Sequence, residues 1–433
     1  MTSHQQDDPS FEGRSVEHGV GTRPPVLPEE GVCPTSVITG GAMRNWYRFT
    51  CTVAALAFTL ACAMTAFADD PGFPAPTGDP AFVPAGAKLE RLFDGGCMLT
   101  EGVAAGHNGM IYFSDITFTQ FCKDPSGKYL QAGNIWQYNP QTGQTTIFRS
   151  PSGIANGIKF DREGNMIAAL GADYGGRMLV KTDMQTGKSY ILTGLFNGRP
   201  YNALNDISID EKGRIYFSDP RYLGHEPIDQ DGFAVYRLDP DGSVHRVVTD
   251  CGKCNGVLVA PDQKTLYVIG NDNGWLNLQS LQEGEKTLQG AHQLQAYDLS
   301  PEGQASNRRV LIDYTKQEKP CSGPDGMVAD TEGNIWLASR CEWRPGIQVL
   351  SPTGKELAYI STGKELPTNV GFGRDADANL LYLSKGLLVK RGHLTRPSFG
   401  VSRTLGASRP GSLPMAEGPR GPQAQSLARG MSQ

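Results

Sequence analysis

Six short stretches place a carboxylate or a carboxamide directly ahead of an apolar, strand-like run. They are Thr100-Glu101-Gly102-Val103, Ala155-Asn156-Gly157-Ile158, Leu204-Asn205-Asp206-Ile207, Cys254-Asn255-Gly256-Val257, Pro324-Asp325-Gly326-Met327 and Thr368-Asn369-Val370-Gly371. In four of the six, Gly follows the polar residue and permits close backbone approach. Taken singly, Asn-Gly and Asp-Gly are ordinary turn dipeptides. Six at one position of a repeat are better explained as oxygen donors converging on a point. Such a set suits a hard cation, Ca2+ first, with Mg2+, Mn2+ or Zn2+ as alternatives. No His or Cys stands at these heads, which argues against a dedicated zinc centre.

The elements that must position these residues repeat along the chain. Each copy is a polar head, a strand, a tight turn and a second strand, as in Asn205–Pro220 (NDISIDEKGRIYFSDP). The turn and second strand recur as GHNGMIYFSD (106–115), DREGNMIAAL (161–170), DEKGRIYFSD (210–219), PDQKTLYVIG (261–270), DTEGNIWLAS (330–339) and DADANLLYLS (375–384). Outer strand pairs such as NIWQYNPQTGQTTIF (134–148) and AVYRLDPDGSVHRVV (234–248) lie between them. Four short strands per repeat, at the spacing of propeller families, predict an all-β, six-bladed β-propeller over 88–395 with the metal site in its central channel. A sandwich would not give the period, and an α/β sheet would need helical spacing between strands.

Ahead of the repeats, residues 1–42 read as an upstream extension, unstructured or an artefact, with Met43 as the true start. Residues 43–68 read as a signal peptide: Arg44 and Arg48, an apolar TVAALAFTLACAM run, then Ala66-Phe67-Ala68. The competing readings are a retained N-terminal anchor and a buried helix. Cleavage after Ala68 would send the chain to the periplasm or outside, with no stable membrane insertion afterwards. Residues 69–87 read as a Pro/Gly linker, and 396–433 as a disordered tail. The stretch Asn271–Gln295 is either a loop over one channel mouth or a solvated surface loop.

Of nine cysteines in 433 residues, Cys33, Cys51 and Cys62 fall in the leader. The remaining six suit disulfides in an oxidising compartment, and proximity suggests Cys97–Cys122, Cys251–Cys254 and Cys321–Cys341. Cys251-Gly-Lys-Cys254 has a redox reading as well, though no βαβ pattern surrounds it. A net charge of −5 with interspersed acids and bases excludes nucleic acid as a partner. A monomer is expected. The chain has neither a G-x-S-x-G elbow nor H-E-x-x-H. His107, His225, His245, His292 and His393 show no partner pattern, and Asp115 and Asp219 read as blade-corner residues.

TEGV, ANGI, YNALNDISIDEKGRIYFSDP, CNGVLVAPDQKTLYV, PDGMVADTEGNIWLA and TNVGFG, in that order from about Leu89 to Ser384, resemble the senescence-marker/gluconolactonase family of regucalcin-like six-bladed propellers. The resemblance implies that Glu101, Asn255 and Asp325 hold a divalent metal, and that Asn205 contacts substrate or lies in the metal's outer set. It further implies hydrolysis of a small-molecule lactone, a gluconolactonase-like carboxylic ester hydrolysis. Asp325 would also take the proton of the attacking water, while Asn205, Asn156 and Asn369 orient substrate hydroxyls. Two alternatives stand beside it: a non-enzymatic metal-containing binding propeller, and a paraoxonase-like aryl esterase or organophosphate hydrolase. Where animal members carry an Arg for sugar lactones, this chain has Ala203. The final strand, Gly386–Leu394, departs from the family's closing strand, and the run Lys88–Leu92 is the candidate to complete that blade.

Overall fold

The computed structural model describes residues 73–84, 86–93, 99–116, 126–129, 131–222, 224–272, 292–385 and 387–391. The extension 1–42, the signal peptide 43–68, Cys97, Cys122, most of the Asn271–Gln295 loop and the tail 396–433 lie outside the described residues.

The repeat turns fold as their residues dictate. Asp210 opens a turn by accepting the Lys212 and Arg214 amides, both at 2.9 Å. Gly213, at φ +79°, supplies the left-handed residue that closes it. Asp330 does the same for Glu332 and Asn334. These turns join the first two strands of antiparallel meanders, whose strand order follows the sequence except where an N-terminal strand is added at the outer edge of the last two.

Among the described residues, six sheets of four or five strands result, together with a two-stranded ribbon, Leu195–Phe196 with Arg199–Pro200. Their inner strands are Thr100–Ala105, Ala155–Phe160, Ile207–Ile209, Cys254–Val259, Pro324–Ala329 and Asn369–Phe372. Contacts run from each inner strand to the next, and from Asn369–Phe372 back to Thr100–Ala105. The Thr368 hydroxyl donates to the Thr100 carbonyl across that last junction, at 2.6 Å. The fold is an all-β propeller, with no α-helix among the described residues. No helix among them is long and apolar enough to cross a membrane.

The core lies between neighbouring sheets. Ile167, Ala169 and Leu179 of the second sheet meet Ile207, Phe217 and Tyr236 of the third. Tyr216 and Val235 of the third meet Val257, Leu266 and Val268 of the fourth. Complete burial of an aliphatic or Phe side chain stabilises by about 1.5–3 kcal/mol, so these seams hold the sheets in place.

One N-terminal segment departs from the sequence expectation and a second bears it out. Within 69–87, read as linker, Thr77–Gly78 pairs with the outer edge of the fifth sheet, opposite Tyr359 and Ala358. Phe82 and Val83 join Trp336 and Phe372 in the core between the last two sheets. Burial of those two side chains outweighs the loop-like composition around them. Leu89–Phe93 pairs with Leu387–Arg391 as the outermost strand of the sixth sheet, so the N-terminal run does complete that sheet. Cys251 and Cys254, with Cα atoms 5.3 Å apart, and Cys321 and Cys341, at 4.9 Å, lie at disulfide distance as expected.

Candidate functional site

A β-bulge aims the polar head in four of the inner strands. Thr100 pairs with Asp115 and Val103 with Phe113, so Glu101 and Gly102 together stand opposite Ser114. The same two-against-one count occurs at Asn156-Gly157, Asn255-Gly256 and Asp325-Gly326. A bulge redirects a side chain out of the strand's alternation. Here it turns each head away from the sheet-to-sheet core and toward the other heads.

The third sheet reaches the same end differently. The Asn205 amide donates to Ser218 O, the Ser218 amide to Asp206 O, and the Gly157 amide to Asn205 O. Asn369 pairs regularly with Ser384, and its Oδ1 accepts from the Val370 amide at 2.8 Å. Glu101, Asn156, Asn205, Asn255, Asp325 and Asn369 are all buried.

Electrostatics show which heads converge. Burial pushes the Glu101 carboxyl well above its usual range, and the nearby charge of Asp325 pushes it further. Asp325 is pushed up to about 6, by burial first, against the pull of the Arg340 guanidinium and a hydrogen bond from Asn255. Asp206 is raised by burial too, and its charge acts on both of the others. The structure therefore brings Glu101, Asn255 and Asp325 together, with Asp206 as a third carboxylate close by. Asn369 hydrogen bonds Asp206. Asn156 and Asn205 are placed by their backbones, Asn156 through its carbonyl to the Ser114 hydroxyl at 2.6 Å.

These residues fit a divalent cation. The Oδ1 atoms of Asn156, Asn255 and Asp206 are buried without a hydrogen-bond partner, a costly arrangement unless something positive completes it. Among the described residues no three His, Cys, Asp or Glu side chains form a ready-made ligand group. The third donor of this set is instead the Asn255 carboxamide, an oxygen ligand of the kind Ca2+ accepts.

Three neighbours carry no mark in the sequence. Tyr222 accepts from Asn255 Nδ2 at 3.0 Å and donates to Asn271 O at 3.0 Å, and burial keeps its hydroxyl protonated. Arg340 places Nη1 3.4 Å from Asp325 Oδ2. Lys253, fully buried, lies 5.1 Å from the Tyr222 ring centroid and 3.9 Å from Asp272 Oδ1. Tyr222 and Arg340 enter from beyond the second strands of their sheets, outside the inner-strand heads that carry the repeat signal. Asp206 was visible in its Asn-Asp pair, but nothing in the pair marked it as buried. Asp219 accepts from the Asn202 and Ala203 amides and Asp115 from Trp136 Nε1, so both serve the blade corners as expected.

The carboxyl of Asp325 titrates near 6 in the folded chain, against about 4 in an unfolded one. Between those values the folded state binds more protons, so stability falls as pH rises through the window. In chelator, the melting temperature is therefore expected to increase as pH is lowered from 7.5 to 5.5, and Asp325→Asn should flatten that slope. An identical slope in the variant would overturn this reading of the site.

Residues 129–385 match the model of the SMP-30/gluconolactonase/LRE-like region. The chain is 27% identical to a gluconolactonase of Zymomonas mobilis over 287 residues, covering 61% of this chain and 72% of that one. It is 26% identical to a pentonolactonase of Haloferax volcanii over 299 residues, covering 68% and 84%. Among solved structures, a gluconolactonase from Xanthomonas campestris superposes with a TM-score of 0.58 at 22% identity, over 74% of this chain and 94% of that one. A calcium-binding regucalcin from Agrobacterium tumefaciens gives 0.54 at 17%, over 76% and 96%. These likenesses extend the propeller fold to the whole repeat region, and with more than half its length matched the chain belongs to the SMP-30/gluconolactonase/LRE-like family.

Proposed function

We propose that this chain is an exported, divalent-metal-dependent lactonase whose six sheets are the blades of one closed propeller around a central channel. The observation that carries the proposal is the convergence of Glu101, Asn255 and Asp325 beside buried oxygens that lack hydrogen-bond donors. Relatives named gluconolactonase and pentonolactonase support the reaction class.

Glu101, Asn255 and Asp325 would hold the cation, Ca2+ first, which when bound would polarise a lactone carbonyl and acidify a water. Water adds to the carbonyl carbon and the bond from that carbon to the ring oxygen breaks. Asp325 takes the water proton and returns it to the departing ring oxygen, so the product is the open hydroxy acid. Tyr222 holds the Asn255 carboxamide in one orientation. Asn156, Asn205 and Asn369 orient the hydroxyls of the substrate. The presequence at 43–68 and the cysteine pairs support export to an oxidising compartment.

Dialysis of the mature protein against chelator, add-back of Ca2+, Mg2+, Mn2+ or Zn2+, and titration of acid released from δ-gluconolactone and γ-lactones test the proposal. Activity should vanish with chelator and return with one of the ions. Full activity without metal would sink the mechanism. A stable fold that opens no lactone with any ion would favour a binding module, and turnover of aryl esters alone a paraoxonase-like enzyme.

A further inference from the structure

The residue that follows each turn-and-strand repeat varies along the chain: Ile116, Gly171, Pro220, Asn271, Arg340 and Lys385. In the adjacent fifth and sixth sheets it is a cation. Both cations leave their strands at the level of the heads, since Ser339 stands opposite Pro324 and Ser384 opposite Asn369.

Arg340 is set in place by its backbone. Its amide donates to Gly323 O at 3.0 Å, two residues ahead of Asp325. Cys341, the next residue, is buried at disulfide distance from Cys321.

The guanidinium itself is not gripped. Its Nη1 stands 3.4 Å from Asp325 Oδ2, and among the described residues it donates no hydrogen bond. Arginines that brace the fold are held closer, Arg177 at 2.6 Å from Asp229 and Arg237 at 2.7 Å from Asp239. Glu342 feels the charge of Arg340, yet its Oε1 accepts from the Ser322 hydroxyl. The field of Arg340 also reaches Glu101 and Asp325, opposing the rise that burial causes in both. Lys385 lies in that field too: burial lowers its amine, and the charges of Arg340 and Arg91 lower it further. Glu365 pairs with Lys385, so Arg340 is the cation of this wall with donors to offer. Its side chain is 25% exposed, open to a solute beside the buried acids. A planar fork of N–H donors matches a carboxylate with two parallel bonds.

We propose that Arg340 anchors the substrate by a carboxylate, selecting lactones that carry one on the ring carbon bearing the ring oxygen. This rests on the lactonase reading. With the lactone carbonyl at Asp325, such a carboxylate would lie one ring away, beside the neighbouring guanidinium, and the product would be a hydroxy diacid. The anchor comes from the fifth sheet, whereas the position at which sugar-lactone binders carry their Arg is Ala203, ahead of the third. Glu101 and Asp325 repel a carboxylate until a cation occupies them, so the anchor works in the metal-loaded site.

The experiment compares γ-carboxy-γ-butyrolactone with its neutral counterpart, γ-hydroxymethyl-γ-butyrolactone, in the intact protein, in Arg340→Gln and in Arg340→Lys. In Arg340→Gln, kcat/KM should fall about ten- to hundredfold further for the carboxylate lactone than for the neutral one. KM should carry the difference, and Arg340→Lys, which keeps the charge but not the fork, should recover part of it. Equal losses on both lactones would mean that Arg340 acts through Asp325, and would overturn the anchor. Calorimetric binding of the matching lactams, pyroglutamate and pyroglutaminol, separates this idea from the hydrolase reading. It is run with the ion that supports turnover, or with Ca2+ if none does. A preference for pyroglutamate that Arg340→Gln removes supports the anchor even if no lactone is opened. A preference that survives in the variant, or equal or absent binding of the two lactams, overturns it whatever the turnover.

Discussion

Asp325→Ala is expected to lower lactone kcat/KM by about 10³-fold or more and to abolish the stabilisation that a divalent cation gives. Proton transfer by a positioned carboxylate is worth about 10²–10⁴ in rate, and this substitution removes a proposed ligand along with the base. The structure also says what the variant should not do. Asp325 is buried among Glu101 and Asp206 with Arg340 as its close cationic partner, and its carboxyl is raised by burial. Removing it relieves repulsion among buried acids, so the metal-free variant should melt no lower than metal-free wild type at neutral pH. That separates loss of chemistry from loss of fold. A variant that keeps more than a tenth of the activity, or still gains stability with Ca2+, would show that both metal and proton are handled elsewhere. Glu101→Gln provides the companion measurement, because Glu101 has a raised carboxyl and lies close to Asp325. It should lose cation binding while keeping Asp325 to accept a proton.

The propeller was legible because its signal is local and repeated. Asp210 and Gly213 make the same turn as Asp330 and Gly333, and the strand that follows each turn is buried along its whole length. The heads were legible for a related reason, since an acid or amide at one place in every period, before Gly in four of the six, is visible without knowing any distance. What the sequence hid comes from long-range packing. Thr77–Gly78 is too short to show alternation, and its place on the edge of the fifth sheet depends on Phe82 and Val83 finding the core beside Trp336. Tyr222 and Arg340 reach the site through loops whose lengths follow no period. His225 offered no partner in sequence because its partner, Tyr174, belongs to the neighbouring sheet's loop. Asp206 looked like half of a turn dipeptide until burial made it a third acid of the site.

Gly102→Ala is expected to be strongly destabilising. An ideal Cβ there would sit 2.4 Å from Asn156 O, 2.6 Å from the Ile158 nitrogen and 2.7 Å from Gly157 Cα. All three are backbone atoms of the next inner strand, so no side-chain rotation can make room. Gly102 does not occupy the left-handed region, so the cost comes from space alone. Asn156 O cannot turn aside cheaply, because it accepts the buried Ser114 hydroxyl at 2.6 Å. The first two inner strands must separate, at about 3 kcal/mol or more, which in a domain of this size lowers the melting temperature by roughly 5 °C or more. Gly86→Ala is the matched control, since a Cβ at Gly86 would meet nothing within 4 Å. Separation of the strands would also move Glu101 and Asn156 together, and cation affinity should fall with stability. At Gly326 the same methyl would meet the side chain of Asn369, at 2.5 Å, instead of backbone. That side chain can shift, so Gly326→Ala should cost less stability than Gly102→Ala. Should the two variants melt alike, or Gly102→Ala melt within about 1 °C of wild type, the close approach of the first two inner strands would not be what sets the site's width.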